Sequence, residues 1–374
     1  MKKTILISTN TSWNIINFRL GLLKALQKEG FEIVVLAPQD KYSSFFKEYG
    51  FRYYDIKINN KGTNPLEDFK LTVEYYKVLK QIKPDLILNY TIKPNIYGTI
   101  AANFLKIPTI NNIAGLGTLF VNENIVTKVA KYLYKYSQSK ASHIFFQNKE
   151  DFELFTSEQL AEVQKSSILP GSGIDTSKFV PIPKKRKDDK IVFLLIARML
   201  WDKGIQEYIE AARIIKSKYN NVEFQLLGFL DVANKTAISK EQMDLWVEEG
   251  IVNYLGTSDN VKNEISQADC IVLPSFYREG TPRTLLEAAS MAKPIITTNN
   301  IGCKDIVDDG VNGYLCKIKD KNDLADKLEK MILLSEKERI LMGEKGRKKM
   351  KEEFEEQIII DNYLSVIKNL IPNY

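Results

Sequence analysis

The sequence predicts an α/β protein made of two doubly wound, parallel-sheet domains, and three observations lead to this prediction. Short apolar segments alternate with amphipathic ones along most of the 374 residues, as strands alternate with helices in βαβ units. A chain of 374 residues exceeds what one hydrophobic core usually supports. A segment rich in Pro, Gly and charge interrupts the alternation at residues 170–190. We therefore expect a first domain at 1–180 and a second at 181–356.

In the first domain, the apolar runs predict strands and the amphipathic stretches between them predict helices. Strands are expected at 4–8, 31–37, 51–56, 85–89, 108–112 and 142–147. Helices are expected at 17–29, 41–49, 66–82, 95–105 and 124–140.

The second domain repeats the same alternation after the interruption. Strands are expected at 191–196, 222–227, 251–255, 269–273 and 294–298. Helices are expected at 204–217, 239–249, 261–267 and 282–292. The tail at 336–371 is predicted to be helical, and its apolar end needs a partner. We expect the segment 357–374 to pack back on the first domain and complete it.

The strongest functional signal is the segment IVLPSFYREGTPRTLLE at 271–287. A buried strand is followed by a short loop and by a helix, with Thr281 predicted as N-cap and Pro282 at the first helical position. A helix N-terminus that follows a strand's carboxyl end is an anion site, and Gly280 lets backbone approach a ligand. Glu279 and Glu287 are eight positions apart and flank this site. Two carboxylates in these places suit hydroxyl groups on both sides of a diphosphate.

A second constellation follows the first strand of the second domain, in IARMLWDKG at 196–204. Arg198 stands at the tip of the strand, and Lys203 lies at the entrance to the next helix. A guanidinium fork and an ammonium point charge together suit a diphosphate. Parallel strands end at the same edge of a sheet, so these cations are expected near the loop at 274–281.

Together these residues resemble the retaining glycosyltransferases of family 4, which have the GT-B fold of two Rossmann-like domains facing across a cleft. Glu279 and Glu287 match the family's E-x7-E motif, and Arg198 and Lys203 match its diphosphate-binding pair. Further segments resemble one bacterial branch, which adds N-acetylhexosamines or related sugars to undecaprenyl-diphosphate-linked acceptors: SWNIINFR (12–19), NNIAGLGTLF (111–120), FFQN (145–148), GSGIDTSKF (171–179), LLGFLDVANKTAIS (226–239) and REGTPRTLLEAA (278–289).

The resemblance implies roles for the matching residues in binding a UDP-sugar donor. Arg198 and Lys203 would hold the diphosphate and neutralise the leaving group. Glu287 would bind the ribose hydroxyls, and Glu279 would face the donor sugar as part of the catalytic set. The remaining donor contacts would come from Gly228, Gly256, Thr257, Gly280, Thr281 and Arg283. Family members need no bound metal, so no cofactor is expected beside the donor substrate.

The acceptor side departs from the family pattern in two places. The first loop, TNTSWNIIN at 9–17, has no Gly, and its Asn residues, Asn14 among them, would replace amide contacts by side-chain ones. The single His of the chain, His143, does not match the family's position, so a structural role is favoured. Asn112 with Gly115 and Gly117 is the more plausible group at that position.

Composition and charge bear on the compartment and on the partners. Three Cys residues without a C-x-x-C spacing fit a reducing compartment, and no apolar run is long enough to span a membrane. Residues 1–140 carry 20 Lys and Arg against 10 Asp and Glu, which favours an anionic surface or ligand on this side, although a generally Lys-rich proteome explains the excess equally well. We therefore expect a cytoplasmic protein that binds peripherally to the inner face of the cytoplasmic membrane.

The helix predicted at 124–140 is a candidate for this membrane contact. Lys128, Lys131 and Lys135 recur on one side of it, and the other side is apolar and aromatic, with Val129, Tyr132, Leu133 and Tyr136. Such a helix suits an anionic lipid surface. The alternative is an ordinary surface helix whose apolar side packs on the sheet.

Two other functions compete with a glycosyltransferase. A sugar-nucleotide epimerase of the same architecture would need more acid and base groups than a chain with one His offers. A nucleic-acid-binding protein would interleave aromatic residues with Arg on exposed strands or loops, whereas here Lys outnumbers Arg and the strands are apolar. A dinucleotide oxidoreductase is disfavoured because no G-x-G-x-x-G follows a strand.

Overall fold

The computed structural model describes residues 2–59, 64–115, 125–185, 188–230, 234 and 236–372, with side chains from 127 onward in the segment that starts at 125. The chain divides into two compact units. The first comprises Met1–Ser172 and Glu356–Tyr374, and the second comprises Gly173–Glu355.

The first unit contains a seven-stranded parallel sheet with strand order β3-β2-β1-β4-β5-β6-β7. Its strands are β1 (Thr4–Ser8), β2 (Glu32–Leu36), β3 (Arg52–Tyr54), β4 (Leu86–Tyr90), β5 (Thr109–Ile113), β6 (His143–Phe146) and β7 (Ser166–Ile168). Its helices up to this point are α1 (Ser12–Phe18), α2 (Leu20–Lys28), α3 (Phe45–Glu48), α4 (Pro65–Ile82), α5 (Thr99–Phe104), α6 (Ile125–Lys140) and α7 (Lys149–Ser157). A π-helical turn, Pro94–Gly98, precedes α5, and a 3₁₀ turn, Val163–Lys165, precedes β7.

Helices cover both faces of this sheet, as a parallel sheet requires. The central strands β4 and β5 are buried at every residue. One layer of core packs α1 and α2 on the sheet, with Ile15, Leu22 and Leu23 as buried contacts. The other layer packs α4, α5 and α6, with Tyr75, Ala101 and Tyr134.

The second unit contains a six-stranded parallel sheet with strand order β10-β9-β8-β11-β12-β13. Its strands are β8 (Ile191–Ile196), β9 (Val222–Leu227), β10 (Asn253–Tyr254), β11 (Cys270–Leu273), β12 (Ile295–Thr298) and β13 (Gly313–Cys316). Its helices are α8 (Ile205–Lys216), α9 (Lys240–Glu248), α10 (Val261–Gln267), α11 (Arg283–Ser290), α12 (Lys321–Leu333) and α13 (Glu336–Glu353). Two 3₁₀ turns, Trp201–Lys203 and Lys304–Ile306, complete it.

The last helix, α14 (Glu356–Leu370), belongs to the first unit although it follows the second along the chain. Its apolar side, with Ile359, Tyr363 and Ile367, is buried in the layer formed by α1 and α2. The Tyr363 hydroxyl also accepts hydrogen bonds from the Tyr90 hydroxyl and from Asn112 Nδ2 at the ends of β4 and β5. The apolar residues of the tail thus find their cover on the sheet of the first unit.

The predicted α/β class with two doubly wound parallel sheets is confirmed, and some elements differ from expectation. The loop expected at 9–17 is largely helix α1, because Thr11 caps it by accepting from the Asn14 amide at 3.2 Å and Ile15 is buried. The strand expected at 251–255 is only β10, two residues long. The sequence patterns also missed four elements: α7, β7, β13 and α12.

Candidate active site

The loop between β11 and α11 exposes backbone amides at a helix N-terminus. Pro282 has ψ 114° and is therefore the N-cap of α11, which begins at Arg283 without a side-chain cap hydrogen bond. The prediction that Thr281 is the N-cap was wrong, because the extended ψ of Pro282 delays the first helical residue by one position. The first-turn amides of α11 are thus not used by a capping side chain, which suits them to an anion.

Two neighbouring loops hold this segment in place. The carbonyl oxygen of Asp202, in the turn after β8, accepts hydrogen bonds from the amides of Phe276 and Tyr277 at 3.0 Å. A Cβ on Gly302, whose φ is 77°, would lie 2.0 Å from the carbonyl oxygen of Gly280. Only glycine lets the loop after β12 approach so closely. The backbone around Gly280 is therefore fixed from both sides.

Lys203 and Glu279, both predicted as catalytic, form an ion pair inside this site. Their side chains are only 11% and 13% exposed. Ser275 donates to Glu279 Oε1 at 3.1 Å, and Lys203 Nζ lies 4.8 Å from the centre of the Tyr277 ring. Burial raises the pKa of Tyr277, and the Glu279 carboxylate adds to that rise. A positive and a negative charge are therefore in direct contact at the edge of the sheet, largely shielded from solvent.

Glu287, the predicted ribose ligand, lies one turn into α11 beside Arg283. Arg283 Nε donates to Glu287 Oε1 at 3.2 Å, and both side chains are 15% exposed. Burial raises the pKa of the Glu287 carboxyl, and the Arg283 guanidinium partly opposes the rise. Arg283 also donates to the Gly173 carbonyl oxygen, so part of its function is to hold the start of the second unit.

The other predicted donor residues lie at the carboxyl ends of the neighbouring strands. Gly228 follows β9, and its amide donates to the Gly256 carbonyl oxygen at 2.8 Å. A Cβ on Gly228 would lie 1.7 Å from the Ala197 carbonyl oxygen, whereas one on Gly256 would meet open space. Thr257 after Gly256 and Arg198 after β8 are both exposed. The parallel sheet therefore brings all the predicted donor residues to one edge.

Three of the four predicted acceptor-side residues, Asn14, Asn112 and Gly115, lie at the carboxyl-terminal edge of the first unit's sheet. Asn14 is in α1, and its buried Oδ1 has no hydrogen-bond partner among the described residues. Asn112 is buried and committed to the fold, since Nδ2 donates to the Tyr363 hydroxyl at 3.2 Å and Oδ1 accepts from Gln147 at 3.0 Å. Gly115 has φ 93°, two residues after β5. Gly117 lies outside the described residues.

Comparison with known protein families identifies the chain. The model named glycosyl transferases group 1 matches residues 178–349, and the model named glycosyl transferase 4-like matches residues 4–148. The chain is 31% identical over 376 aligned residues, with 96% of this chain and 97% of the relative covered, to a Campylobacter jejuni N,N'-diacetylbacillosaminyl-diphospho-undecaprenol alpha-1,3-N-acetylgalactosaminyltransferase. The chain belongs to the family 4 glycosyltransferases.

Other relatives and solved structures agree with this family. An Escherichia coli UDP-Gal:alpha-D-GlcNAc-diphosphoundecaprenol alpha-1,3-galactosyltransferase is 25% identical, with 81% of this chain and 80% of the relative covered. A Rickettsia africae glycosyltransferase has the same fold, with a TM-score of 0.81, 16% identity and full coverage of both chains. Anabaena HepE, solved with UDP, has a TM-score of 0.77 and 16% identity, with 99% of this chain and 100% of that chain covered. The two parallel-sheet units of the glycosyltransferase are therefore those of the GT-B fold.

These matches support the glycosyltransferase prediction and not the epimerase or nucleic-acid-binding alternatives. His143 lies apart from both sets of site residues: its Nε2 pairs with Ser167 Oγ at 2.8 Å, its ring packs on Phe145, and burial lowers its pKa. Within the described part of the chain, no three His, Cys, Asp or Glu residues are grouped as metal ligands.

Three polar residues of the glycosyltransferase's first unit were not predicted from the sequence. Thr91 and Asn95 follow β4 and carry buried oxygen atoms without a partner among the described residues. Arg19, the N-cap of α2, is 5% exposed, lies 4.4 Å above the Tyr90 ring and has an unpartnered Nε in the described structure. A signal for Arg19 was available, because it lies four residues after Ile15 and three before Leu22, on the apolar side of two helices.

Helix α6 of the glycosyltransferase differs from its predicted arrangement. Lys131 forms an ion pair with Glu158 at 2.9 Å, so it does not act with the other two lysines. The apolar side, which the alternative interpretation packs on the sheet, is largely exposed, with Tyr132 at 72%, and Tyr134 supplies the buried contact. Lys128 and Lys135 therefore share one exposed surface with three apolar or aromatic residues: Val129, Tyr132 and Tyr136.

Proposed function

We propose that this glycosyltransferase moves a sugar from a UDP-sugar to a sugar linked to undecaprenyl diphosphate, with retention of anomeric configuration. The transferred sugar that we favour is N-acetylgalactosamine, followed by other N-acetylhexosamines. The product would serve surface glycan or glycoprotein glycan assembly. The observation that carries the proposal is the similarity, over nearly the full length of both chains, to the Campylobacter jejuni transferase named for this donor and acceptor. The UDP bound to HepE supports the nucleotide.

The donor's diphosphate would bind between the α11 N-terminus and the two cations that follow β8. The amides of Gly280, Thr281 and Arg283 would donate to phosphate or sugar oxygens, and the helix dipole adds positive potential there. Arg198 is exposed, whereas Lys203 is buried and paired with Glu279. These cations supply the positive charge that the diphosphate needs, and the proposal includes no metal.

The two carboxylates would divide the recognition of the rest of the donor. Glu287 would accept hydrogen bonds from the ribose hydroxyls, and Glu279 would accept them from the transferred sugar. Gly256 and Thr257 would receive the uracil, because the backbone at Gly256 borders open space. Gly228 would keep the end of β9 close to the diphosphate.

The reaction breaks the bond between the anomeric carbon and the diphosphate oxygen and forms a bond to an acceptor hydroxyl oxygen, whose proton ends on UDP. Negative charge grows on the departing diphosphate in the transition state. A fixed ammonium group in a site with little water stabilises such charge more than it stabilises the ground state. Lys203 meets both conditions, since it is buried and its position is set by Glu279 and the Tyr277 ring.

The acceptor has a diphosphate of its own, and Arg19 is the residue of the first unit best suited to it. A buried guanidinium without a carboxylate partner is costly unless an anion binds it. Arg19 Nε has no hydrogen-bond partner among the described residues, and the guanidinium lies over Tyr90 at the carboxyl end of β4. We assign the acceptor's diphosphate to Arg19.

A lipid-linked acceptor keeps its prenyl chain in the bilayer, so the enzyme would bind peripherally to the inner face of the cytoplasmic membrane. No helix in the described residues has the length and apolar character to cross it. The exposed surface of α6 offers lysines for anionic headgroups and Tyr132 with Val129 for the interface.

Vesicle binding tests this membrane contact. Two lysines near an anionic surface contribute roughly 2 kcal/mol together, so Lys128→Glu with Lys135→Glu should weaken binding to phosphatidylglycerol vesicles by at least about 30-fold. Added salt should also weaken wild-type binding, because it screens the attraction between lysines and headgroups beyond a Debye length of about 8–10 Å. The control, Lys240→Glu with Lys345→Glu, reverses two exposed charges on the second unit. Unchanged sedimentation of the α6 variant with vesicles would remove α6 as the anchor.

A donor panel tests the proposed reaction itself. The wild-type enzyme would be incubated with individual UDP-sugars and a polyprenyl-diphosphate-linked acetamido sugar, and released UDP would be measured. Release should be fastest with UDP-N-acetylgalactosamine and should depend on the acceptor. Equal release with and without acceptor would mean hydrolysis rather than transfer and would contradict the proposal.

A further inference from the structure

A small cavity of about 230 Å³ opens in the first unit beside the carboxyl ends of β4 and β5. Ligand pockets for drug-sized molecules usually occupy roughly 300–1,000 Å³, so this cavity suits a single ring. Polar groups come from the loop after β4 and from the end of β1, and apolar groups come from the end of β5 and from α6. Its lining includes Asn10, Thr91, Lys93, Asn95, Ile113 and Tyr134.

Two of the lining residues carry a buried oxygen atom that has no partner within the described structure. Asn95 is 1% exposed, and its Nδ2 donates to the Asn112 carbonyl oxygen at 2.8 Å, which fixes the amide while Oδ1 stays unpartnered. Thr91 Oγ1 is also buried and unpartnered. Buried polar atoms are nearly always hydrogen-bonded in proteins, because leaving one unpaired costs free energy. Two such atoms on one cavity point to a ligand that supplies the missing hydrogen bonds.

The backbone of the cavity has the unusual geometry that often marks binding sites. Thr91 has φ 69°, a left-handed conformation that is unfavourable for a β-branched residue. Asn95 lies in the π-helical turn Pro94–Gly98, and such turns are rare and frequently lie at functional sites. Behind it, Asn111 accepts from Thr99 at 2.9 Å and donates to Gln138 at 2.9 Å, so the support is a buried hydrogen-bond network.

The charge of the cavity indicates a neutral ligand. Lys93, its cation, forms an ion pair with Asp68 at 2.6 Å, and Tyr97 donates to the same carboxylate at 2.7 Å. A phosphate would need an uncompensated cation or a set of free amides. An uncharged ring with hydroxyl or amide N–H donors and apolar C–H faces matches the unpartnered oxygens and the Ile113 and Tyr134 walls.

We infer that this cavity binds one neutral sugar ring, whose O–H or N–H groups donate to Asn95 Oδ1 and pair with Thr91 Oγ1. Resting on the proposed function, we assign this ring to the acceptor's sugar that receives the transferred residue. Thr91 and Asn95 are then residues that determine acceptor specificity. The donor's sugar is the other possible source of such a ring, and the kinetics below separate the two.

Thr91→Val is the sharpest variant, because it removes the hydroxyl while keeping the shape and the β-branching. Thr91 Oγ1 bonds to nothing in the described protein, so the midpoint of thermal unfolding should be unchanged or slightly higher. The KM for the lipid-linked acceptor should rise roughly three- to tenfold, as expected for one lost hydrogen bond, with the KM for UDP-sugar unchanged. Thr91→Ser, the matched control, keeps the hydroxyl and should keep the wild-type acceptor KM.

Each outcome decides the assignment. An unchanged acceptor KM in Thr91→Val, or a lower unfolding midpoint in that variant, would overturn it. A rise in the donor KM, or in acceptor-independent hydrolysis of the UDP-sugar, would assign the ring to the donor and overturn the acceptor role. Asn95→Leu should raise the acceptor KM further, although it also removes the bond to Asn112.

A binding measurement separates failure of this inference from failure of the proposed function. Ligand-observed NMR with the methyl glycoside of N-acetylglucosamine needs no turnover. The wild type and Thr91→Ser should show saturation transfer to the sugar, and Thr91→Val should show at least threefold less. Sugar binding without any transferase activity would support the cavity as a sugar site and refute the proposed function. Transferase activity without a difference in sugar binding between the variants would refute the cavity as a sugar site.

Discussion

Replacing Lys203 by methionine removes the positive charge of a buried ion pair and nearly keeps the length of the side chain. The side chains of Lys203 and Glu279 are 11% and 13% exposed, so the remaining carboxylate would be left in a site with little water. Breaking a buried pair in this way costs about 3–5 kcal/mol. In a domain of roughly 150–250 residues each kcal/mol lowers the midpoint of unfolding by about 2–4 °C, so we expect a fall of roughly 6–20 °C.

The double variant Lys203→Met with Glu279→Gln separates stability from catalysis. It has no buried charge left at this place, so most of the lost stability should return. Its turnover should stay at least about 100-fold below that of the wild type, because the ammonium that stabilises the departing UDP is still missing. Stability and activity therefore respond differently to the same second substitution.

Thermal unfolding followed by circular dichroism, with turnover followed by UDP release, measures both quantities. Lys218→Met is the matched control, because Lys218 pairs with Glu329 at 3.1 Å while half of its own side chain is exposed. Exposed pairs contribute about 0–1 kcal/mol, so that variant should unfold within a few degrees of the wild type. A Lys203→Met enzyme that matches this control in midpoint, or the wild type in turnover, would refute the reasoning.

Three further predictions concern the donor site and the acceptor's diphosphate. Burial raises the pKa of Glu287, so the protein loses stability as the pH rises from below the unfolded-state pKa of this carboxyl through its folded-state pKa. Glu287→Gln should flatten this pH dependence of the unfolding midpoint. The same variant should weaken UDP binding about tenfold, as measured by calorimetry. Gly302→Ala should disturb the Gly280 backbone and lower UDP affinity more than Gly250→Ala, which has the similar φ of 72° but open space around it. Arg19→Met should raise the unfolding midpoint, while the KM for the diphosphate-linked acceptor increases and UDP affinity stays unchanged.

Elements with strong local signals could be predicted from the sequence. β8 and β9 match their predicted limits to the residue, because β8 is an unbroken apolar run and β9 alternates apolar with polar residues. The short strand β13 was missed since Gly-Tyr-Leu-Cys has little apolar length, and it forms because β12 offers a partner edge. Helix α1 was missed because Asn disfavours helix interiors, and burial of Ile15 outweighs that local preference.

The residues of the candidate site also fall into those that a local sequence signal indicates and those that only the tertiary structure reveals. Lys203, Glu279 and Glu287 could be identified because their residue types and spacing form a motif next to predicted strand ends. The pairing of Lys203 with Glu279 depends on the loop contacts made by Asp202, which no spacing rule contains. Asn95 could not be identified, because its significance lies in one unpartnered oxygen and a π-helical turn. The sequence also does not show which side of helix α6 packs on the sheet, because the tertiary fold decides this.

The most direct test of the account is the configuration of the newly formed glycosidic bond. Wild-type enzyme, UDP-N-acetylgalactosamine and an undecaprenyl-diphosphate-linked acetamido sugar would be combined, and the anomeric coupling constant of the extended product would be measured by NMR. The account predicts one added N-acetylgalactosamine in α-linkage, the configuration it has in the donor, together with one equivalent of UDP. A β-linked product, or UDP release without an extended product, would contradict retaining transfer to a lipid-linked sugar.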